Sequence, residues 1–176
     1  MSLVNEILGT DDFDDLMDRD PIFSVVSTES IKKLSPNKPI TLTPETSLKE
    51  AIVTMQNKRI GCIVVTVQGS LKGIFTERDA LFKILNKNVN LEEATLSEFM
   101  TPDPVALLAS DKIAYALNKM TLGGFRHIPI VDENDVLEGI ISVKDIVDYL
   151  ANLVPEEVYN LRPQPMRLGF SQVEGG

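Results

Sequence analysis

Hydrophobic residues along the chain fall into short runs with two alternating periods. Leu48, Ala51, Ile52 and Met55 recur at i, i+3, i+4 and i+7, which places them on one face of a helix. Ser47 stands just before them and Glu50 three residues on, the spacing of a capping box. Cys62-Ile63-Val64-Val65-Thr66-Val67 is a β-branched run and predicts a strand. Gln68-Gly69-Ser70 predicts a turn and Leu71 to Phe75 a second strand, so the two form a hairpin. A second helix is expected to begin after Thr76 and run through Ala80, Leu81, Ile84 and Leu85. A short strand, Ile40 to Thr43, and a turn at Pro44 come first. The unit reads β-α-β-β-α.

The unit occurs twice. Ile31 to Leu34 recurs as Leu96 to Phe99, Pro39 to Leu42 as Pro104 to Leu107, and the helix face as Ile113, Ala116, Leu117 and Met120, all 65 residues on. Gly73-Ile74-Phe75-Thr76-Glu77-Arg78-Asp79 recurs as Gly139-Ile140-Ile141-Ser142-Val143-Lys144-Asp145, 66 residues on. The extra residue falls in a hairpin turn, where an insertion costs little. Two copies are too few for a solenoid. They imply a pseudo-two-fold pair, each unit covering the other's apolar face. In the second copy, Phe125 to Val131 and Leu137 to Ile141 are the expected hairpin strands. Pro129 lacks a ladder donor, which predicts a sheet edge or a cleft wall.

The units are expected over residues 31–88 and 96–153, between an acidic N-terminal arm or helix (1–30) and a Pro-rich C-terminal tail (154–176). Residues 11–20 hold six aspartates and one arginine, as in a solvated arm or the first turn of a short helix. The tail carries Pro155, Pro163 and Pro165 and is expected to be largely unpacked, although Leu161, Met166, Leu168 and Phe170 could dock on a partner subunit.

Composition narrows the function. A chain of 176 residues, 43% hydrophobic, buries enough surface to fold without staples. Seventeen basic residues against 26 acidic ones leave a formal charge of −9. That balance argues against nucleic-acid binding and against electrostatic attachment to anionic lipid. One cysteine excludes an internal disulfide and a multi-Cys zinc site; one histidine excludes a His-rich metal site. No apolar run approaches the roughly 18 residues of a membrane span, and the N-terminus lacks the basic and apolar regions of a signal peptide. A soluble protein of the reducing cytoplasm is expected, without membrane insertion and without a bound metal.

The chemistry centres on Thr76-x-x-Asp79 and Ser142-x-x-Asp145, each where a strand hands over to a helix. The same spacing is a helix-start signature, with the acid favoured in the first turn. Capping and binding are compatible. An ionised carboxylate accepts hydrogen bonds only, which suits two ribose hydroxyls, and free N–H groups at a helix start suit phosphate.

Three stretches, Gly73 to Leu81, Met100-Thr101-Pro102-Asp103-Pro104-Val105 and Gly124 to Asp132, resemble a tandem of CBS domains (a Bateman module). The resemblance spans roughly residues 31 to 150, departing at Ser35-Pro36, which stands where the second copy has Met100-Thr101. It implies an α+β fold, with mixed sheets of α/β type, built from two pseudo-two-fold-related β-α-β-β-α CBS repeats. It also implies regulatory binding of AMP, ADP, ATP or S-adenosylmethionine between the repeats, with no tightly bound cofactor. Clefts in the family are built crosswise, the Asp of one repeat sharing a ligand with basic residues of the other. Carried onto this chain, one cleft combines Ile74, Thr76, Asp79, Val105, Ala106, Arg126, His127, Pro129 and Lys144. Arginine can grip phosphate bidentately and lysine as a point charge. The other combines Ile40, Thr41, Cys62, Arg78, Ile140, Ser142 and Asp145. There Gly61 and Cys62 stand where the first has Arg126 and His127, so its phosphate ligation is thinner, and unequal clefts are expected. Lys58 and Arg59 could compensate, although neither aligns with a basic position of the other repeat.

Enzymatic readings are poorly supported: there is no phosphate loop and no dinucleotide fingerprint. Cys62 and His127 are the one conceivable nucleophile pair, though a buried thiol and a ligand-facing imidazole explain them more simply. The leading expectation is therefore a non-enzymatic adenosine-ligand sensor, homodimeric through its helix faces, acting on a separate, unidentified effector protein through the arm or the tail. The alternative is a structural dimerisation scaffold that binds no nucleotide.

Overall fold

A computed structural model describes residues 21–153. The acidic stretch and the tail, with the docking expected of Leu161, Met166, Leu168 and Phe170, lie outside the described residues. Two sheets with helices against them make an α+β tandem repeat. In the first unit β1 (Thr41–Leu42) runs parallel to β2 (Cys62–Val67), which pairs antiparallel with β3 (Ser70–Thr76). In the second, β5 (Leu107–Leu108) runs parallel to β6 (His127–Val131), which pairs antiparallel with β7 (Leu137–Ser142). The first sheet gains a fourth strand, β4 (Thr101–Pro102), on the far side of β3. Asn37 mirrors it, exchanging two 3.0 Å backbone hydrogen bonds with Ile140. Each sheet is thus edged by chain on its way to the other unit.

The helices follow their expected faces. α1 (Pro21–Thr28) precedes the first unit. Ser47 caps α2 (Leu48–Lys58) by accepting from the Glu50 amide, and Leu48, Ala51 and Met55 are buried. Arg59 ends α2 in the left-handed conformation, at φ 53°. In the second unit Ile113, Ala116 and Met120 line the buried face of α5 (Ile113–Gly123), where Lys112 has no capping side chain and the Glu29 carbonyl takes the Ile113 amide instead.

Two hydrophobic cores result, and they exchange one anchor each. Ile31, on the 3-10 turn Ile31–Leu34, is fully buried among Ile113, Ile128, Ile141 and Ile146 of the second unit. Leu96, opening α4 (Leu96–Phe99), is fully buried among Leu48, Ile63, Val65 and Phe75 of the first. The backbone follows suit: Ile31 and Lys32 donate to the carbonyls of Asp111 and Ala109, Leu96 and Ser97 to those of Thr46 and Pro44. The sequence expectation assigns Ile31–Leu34 to the first repeat and Leu96–Phe99 to the second; in space each serves the other.

Two further expectations differ. The helix after Thr76 makes one α-turn, α3 (Glu77–Asp79), then widens into a π-helical turn over Ala80–Ile84, closed by the Leu85 amide on the Ala80 carbonyl at 3.1 Å. Its counterpart α6 (Val143–Ala151) is regular. Pro129 is neither at a sheet edge nor on a cleft wall. It is buried on β6, the middle strand of its sheet, opposite Ile140. Pairing with β5 begins one residue later, at Ile130, so the missing donor is tolerated. In the first unit the equivalent Val64 amide does donate, to the Ile40 carbonyl at 3.1 Å.

Candidate functional site

The handover from β3 to α3 fixes Asp79. The Thr76 amide and hydroxyl donate to Asp79 Oδ2 at 2.9 and 2.7 Å, and the Asp79 amide returns a bond to Thr76 Oγ1 at 3.3 Å. Ser142 and Asp145 repeat this box: Ser142 donates from its amide at 2.6 Å and its hydroxyl at 2.7 Å. Both motifs therefore cap helices, and in both the cap consumes Oδ2 alone. Asp79 Oδ1 meets Lys83 Nζ at 2.7 Å and the Thr101 hydroxyl at 3.4 Å. Asp145 Oδ1 accepts from Asn37 Nδ2 at 3.0 Å. Lys83 also donates to the carbonyls of Phe99 and Met100 at 2.8 and 3.2 Å, tying this carboxylate to the chain between the repeats.

Two clefts open between the units. The first, about 400 Å³, is lined by Ile74, Thr76, Asp79, Val105, Arg126 and His127. It draws on both repeats, as the crosswise expectation requires. Ala106, Pro129 and Lys144, expected here, do not line it: Pro129 is buried in the sheet, and Lys144 turns along its own helix to pair with Asp148. Arg78, expected in the second cleft, lines the first and donates to the Gly124 carbonyl at 2.6 Å. The expectation missed Gly61, Thr101, Asp103, Pro104, Gly123 and Phe125 on this wall. Thr101, Asp103 and Pro104 lie within the Met100 to Val105 stretch, so its recurrence in the family pattern was the available signal.

The second cleft, about 300 Å³, is lined by Ile40, Cys62, Ile140, Ser142 and Asp145. Thr41 and Arg78 are not on its wall. Asn37, Lys38, Pro39, Ile60, Gly61, Val64, His127 and Ile141 complete it. Lys38 is its cation; Lys58 and Arg59 do not reach it.

The first cleft carries more positive charge, but its cations have partners. Arg126 Nη2 lies 3.5 Å from Glu77 Oε2. Burial, then the Arg126 charge, hold the His127 pKa below its usual value against the pull of Glu77 and Asp145. The imidazole is thus neutral near pH 7. Burial, then Glu77, push the Cys62 thiol up to about 11. A thiol protonated at neutral pH is a poor nucleophile, so the Cys62–His127 pair lacks the activation a catalytic dyad needs. Among the described residues no group of three or more His, Cys, Asp or Glu side chains could hold a metal ion, and no helix is long and apolar enough to cross a membrane.

What the clefts suggest agrees with known proteins. The CBS domain model matches residues 13–86 and 96–152. A CBS domain-containing protein of Arabidopsis thaliana is 34% identical over 125 residues, 70% of this chain. The chain spans only about a quarter of that relative's length (23%). A solved CBS-domain containing protein of Agrobacterium tumefaciens is 33% identical, with a TM-score of 0.62, covering 69% of this chain and 98% of its own. A CBS domain protein of Pyrobaculum aerophilum, solved in complex with AMP, superposes at 0.62 with 22% identity, over 70% of this chain and 99% of its own. A CBS domain pair solved with 5'-methylthioadenosine and S-adenosyl-L-methionine superposes at 0.64 with 24% identity, over 72% of this chain and 98% of its own. With both halves matched, and two clefts built crosswise between them, the chain belongs to the CBS domain family as a tandem pair.

Proposed function

We propose that this CBS pair is a regulatory sensor that binds an adenosine ligand (AMP, ADP, ATP or S-adenosylmethionine) in the first cleft and acts on a separate effector chain. One observation carries the reading: Asp79, 8% exposed and fixed by its cap, shares a 400 Å³ cleft with Arg126 of the other repeat. A carboxylate for hydroxyls at one place and a guanidinium for phosphate at another match a ribose phosphate. The AMP and S-adenosylmethionine complexes of CBS pairs of the same fold support the ligand class. The second cleft, with Asp145 and Lys38, takes a less charged member of the same class.

The sensor pairs with a second copy through its helix faces, where Leu81, Phe82, Leu85 and Val147 are all more than half exposed. Signalling requires that the ligand bind one arrangement of the pair better than another. The scaffold alternative needs the same helix faces and no ligand, so ligand binding separates the two readings.

A thermal-shift panel of adenosine, AMP, ADP, ATP, NAD and S-adenosylmethionine, with GTP as control, is the test. A ligand at about 100 times its Kd adds about 2.7 kcal/mol, or several degrees for a chain of this size. Adenosine-type ligands should raise Tm and GTP should not. Asp79→Asn, which keeps a capping oxygen, should fold and lose the shift. No shift at millimolar ligand would favour the scaffold.

A further inference from the structure

Asp79 is the one buried charged side chain among the described residues, and a single cation pairs with it. Lys83 Nζ lies 2.7 Å from Asp79 Oδ1 and donates to the Phe99 and Met100 carbonyls at 2.8 and 3.2 Å. An ammonium has three N–H groups, and here each has an acceptor. Phe99 and Met100 lead directly into Thr101, Asp103, Pro104 and Val105 of the cleft wall. Met100 is pressed against β3, where a Cβ on Gly73 would collide with its Sδ. Lys83 therefore fixes the carboxylate and the crossing chain beside it as one unit, although it does not itself line the cleft.

The second repeat is built differently. Tyr149 stands where Lys83 does, 66 residues on, and packs against the second core. Asp145 Oδ1 accepts instead from the neutral Asn37 amide. Among the described residues no lysine or arginine, Lys38 included, ion-pairs with Asp145.

The difference bears on ligand charge. Around the first cleft Arg78, Arg126 and Lys83 balance Asp79, Asp103 and Glu77, with His127 neutral. Without Lys83 the balance tips to one excess negative charge. That charge, on a largely buried carboxylate, is screened less by solvent than a surface charge, and it repels a phosphate bound in the same cleft. Building on the adenosine-ligand reading, we propose that Lys83 is a positioning residue that sets the ligand charge of the first cleft: by cancelling Asp79 it lets one cleft hold a ribose and a phosphate together. The second cleft, whose carboxylate has no such partner, favours an uncharged nucleoside.

Amide NMR titrations of the full chain with AMP and with adenosine test this. Asp103 and Val105 line the first cleft and not the second, so their shifts read that cleft alone. Lys83→Met should weaken both ligands where the wall loosens, but AMP about three- to tenfold more than adenosine, the size of one partly screened charge. Lys83→Arg should hold the AMP-to-adenosine ratio within about twofold of wild type. Equal weakening of the two ligands by Lys83→Met, or no change in either, would overturn the proposal and leave Lys83 a structural tie. Stronger AMP binding by Lys83→Met would also overturn it, because Lys83 would then compete with the ligand for Asp79. If wild type binds neither AMP nor adenosine, the adenosine-ligand reading itself falls and this inference with it.

Discussion

At Asp79 one side chain serves two purposes because a carboxylate has two oxygens. Oδ2 closes the capping box with Thr76, and Oδ1 is turned to Lys83 and Thr101. The capping half is legible in the Thr-x-x-Asp spacing. Lys83 is not, because its reach depends on the π-helical turn and on where Phe99 and Met100 cross. The same distinction explains Lys144 and Arg78. Sequence alignment marks both as basic, but an Asp four residues on captures Lys144, and the handover geometry turns Arg78 into the first cleft. Asp79→Ala leaves the Thr76 cap in place but removes the carboxylate acceptor of the Thr76 amide and hydroxyl, and should cost about 1–3 kcal/mol, seen as a lower urea midpoint than for Asp79→Asn. His127 gives a pH-dependent counterpart. Its folded pKa lies below 6.5, so the unfolded chain binds the proton more readily, and the penalty grows as pH falls below the unfolded value of about 6.5. Urea melts at pH 7.5 and 5.5 should show wild type losing more stability on acidification than His127→Asn. Equal losses would mean that burial does not disfavour the imidazolium.

At the scale of elements, the strands and helices of each unit follow from hydrophobic period, because the same apolar positions that repeat in sequence line each buried face. The exchange of Ile31 and Leu96 does not follow, since a one-dimensional repeat looks the same whether its first anchor packs on its own unit or on the other. The exchange has a measurable consequence. Leu96→Ala leaves a cavity among Leu48, Ile63 and Phe75, costing about 2–5 kcal/mol. Hydrogen exchange should therefore speed up in β2 and β3 of the first unit more than in β6 and β7 of its own repeat. The reverse ordering would contradict the exchanged packing. The π-helical turn escapes sequence reading as well, because Ala80 and Ile84 suit an ordinary helix face equally.

For the whole molecule, the crosswise clefts and the paired sheets are one fact: each unit's edge is completed by chain passing to the other. Most of the first cleft's expected residues meet for that reason, while the residues the expectation lacked are mainly on crossing segments and the shared wall. The exposed apolar helix face belongs to this scale too. Phe82, 69% exposed, should support pairing of two copies, so Phe82→Asp should lower the sedimentation mass toward that of one chain; an unchanged mass would place the contact elsewhere. The central claim is that an adenosine ligand lies between the repeats, spanning from Asp79 to Arg126. An amide NMR titration with AMP tests it most directly. The account predicts saturable shifts concentrated at Thr76 to Asp79, Thr101 to Val105, and Arg126 and His127. Shifts confined to the outer helix faces, or none at millimolar AMP, would contradict it.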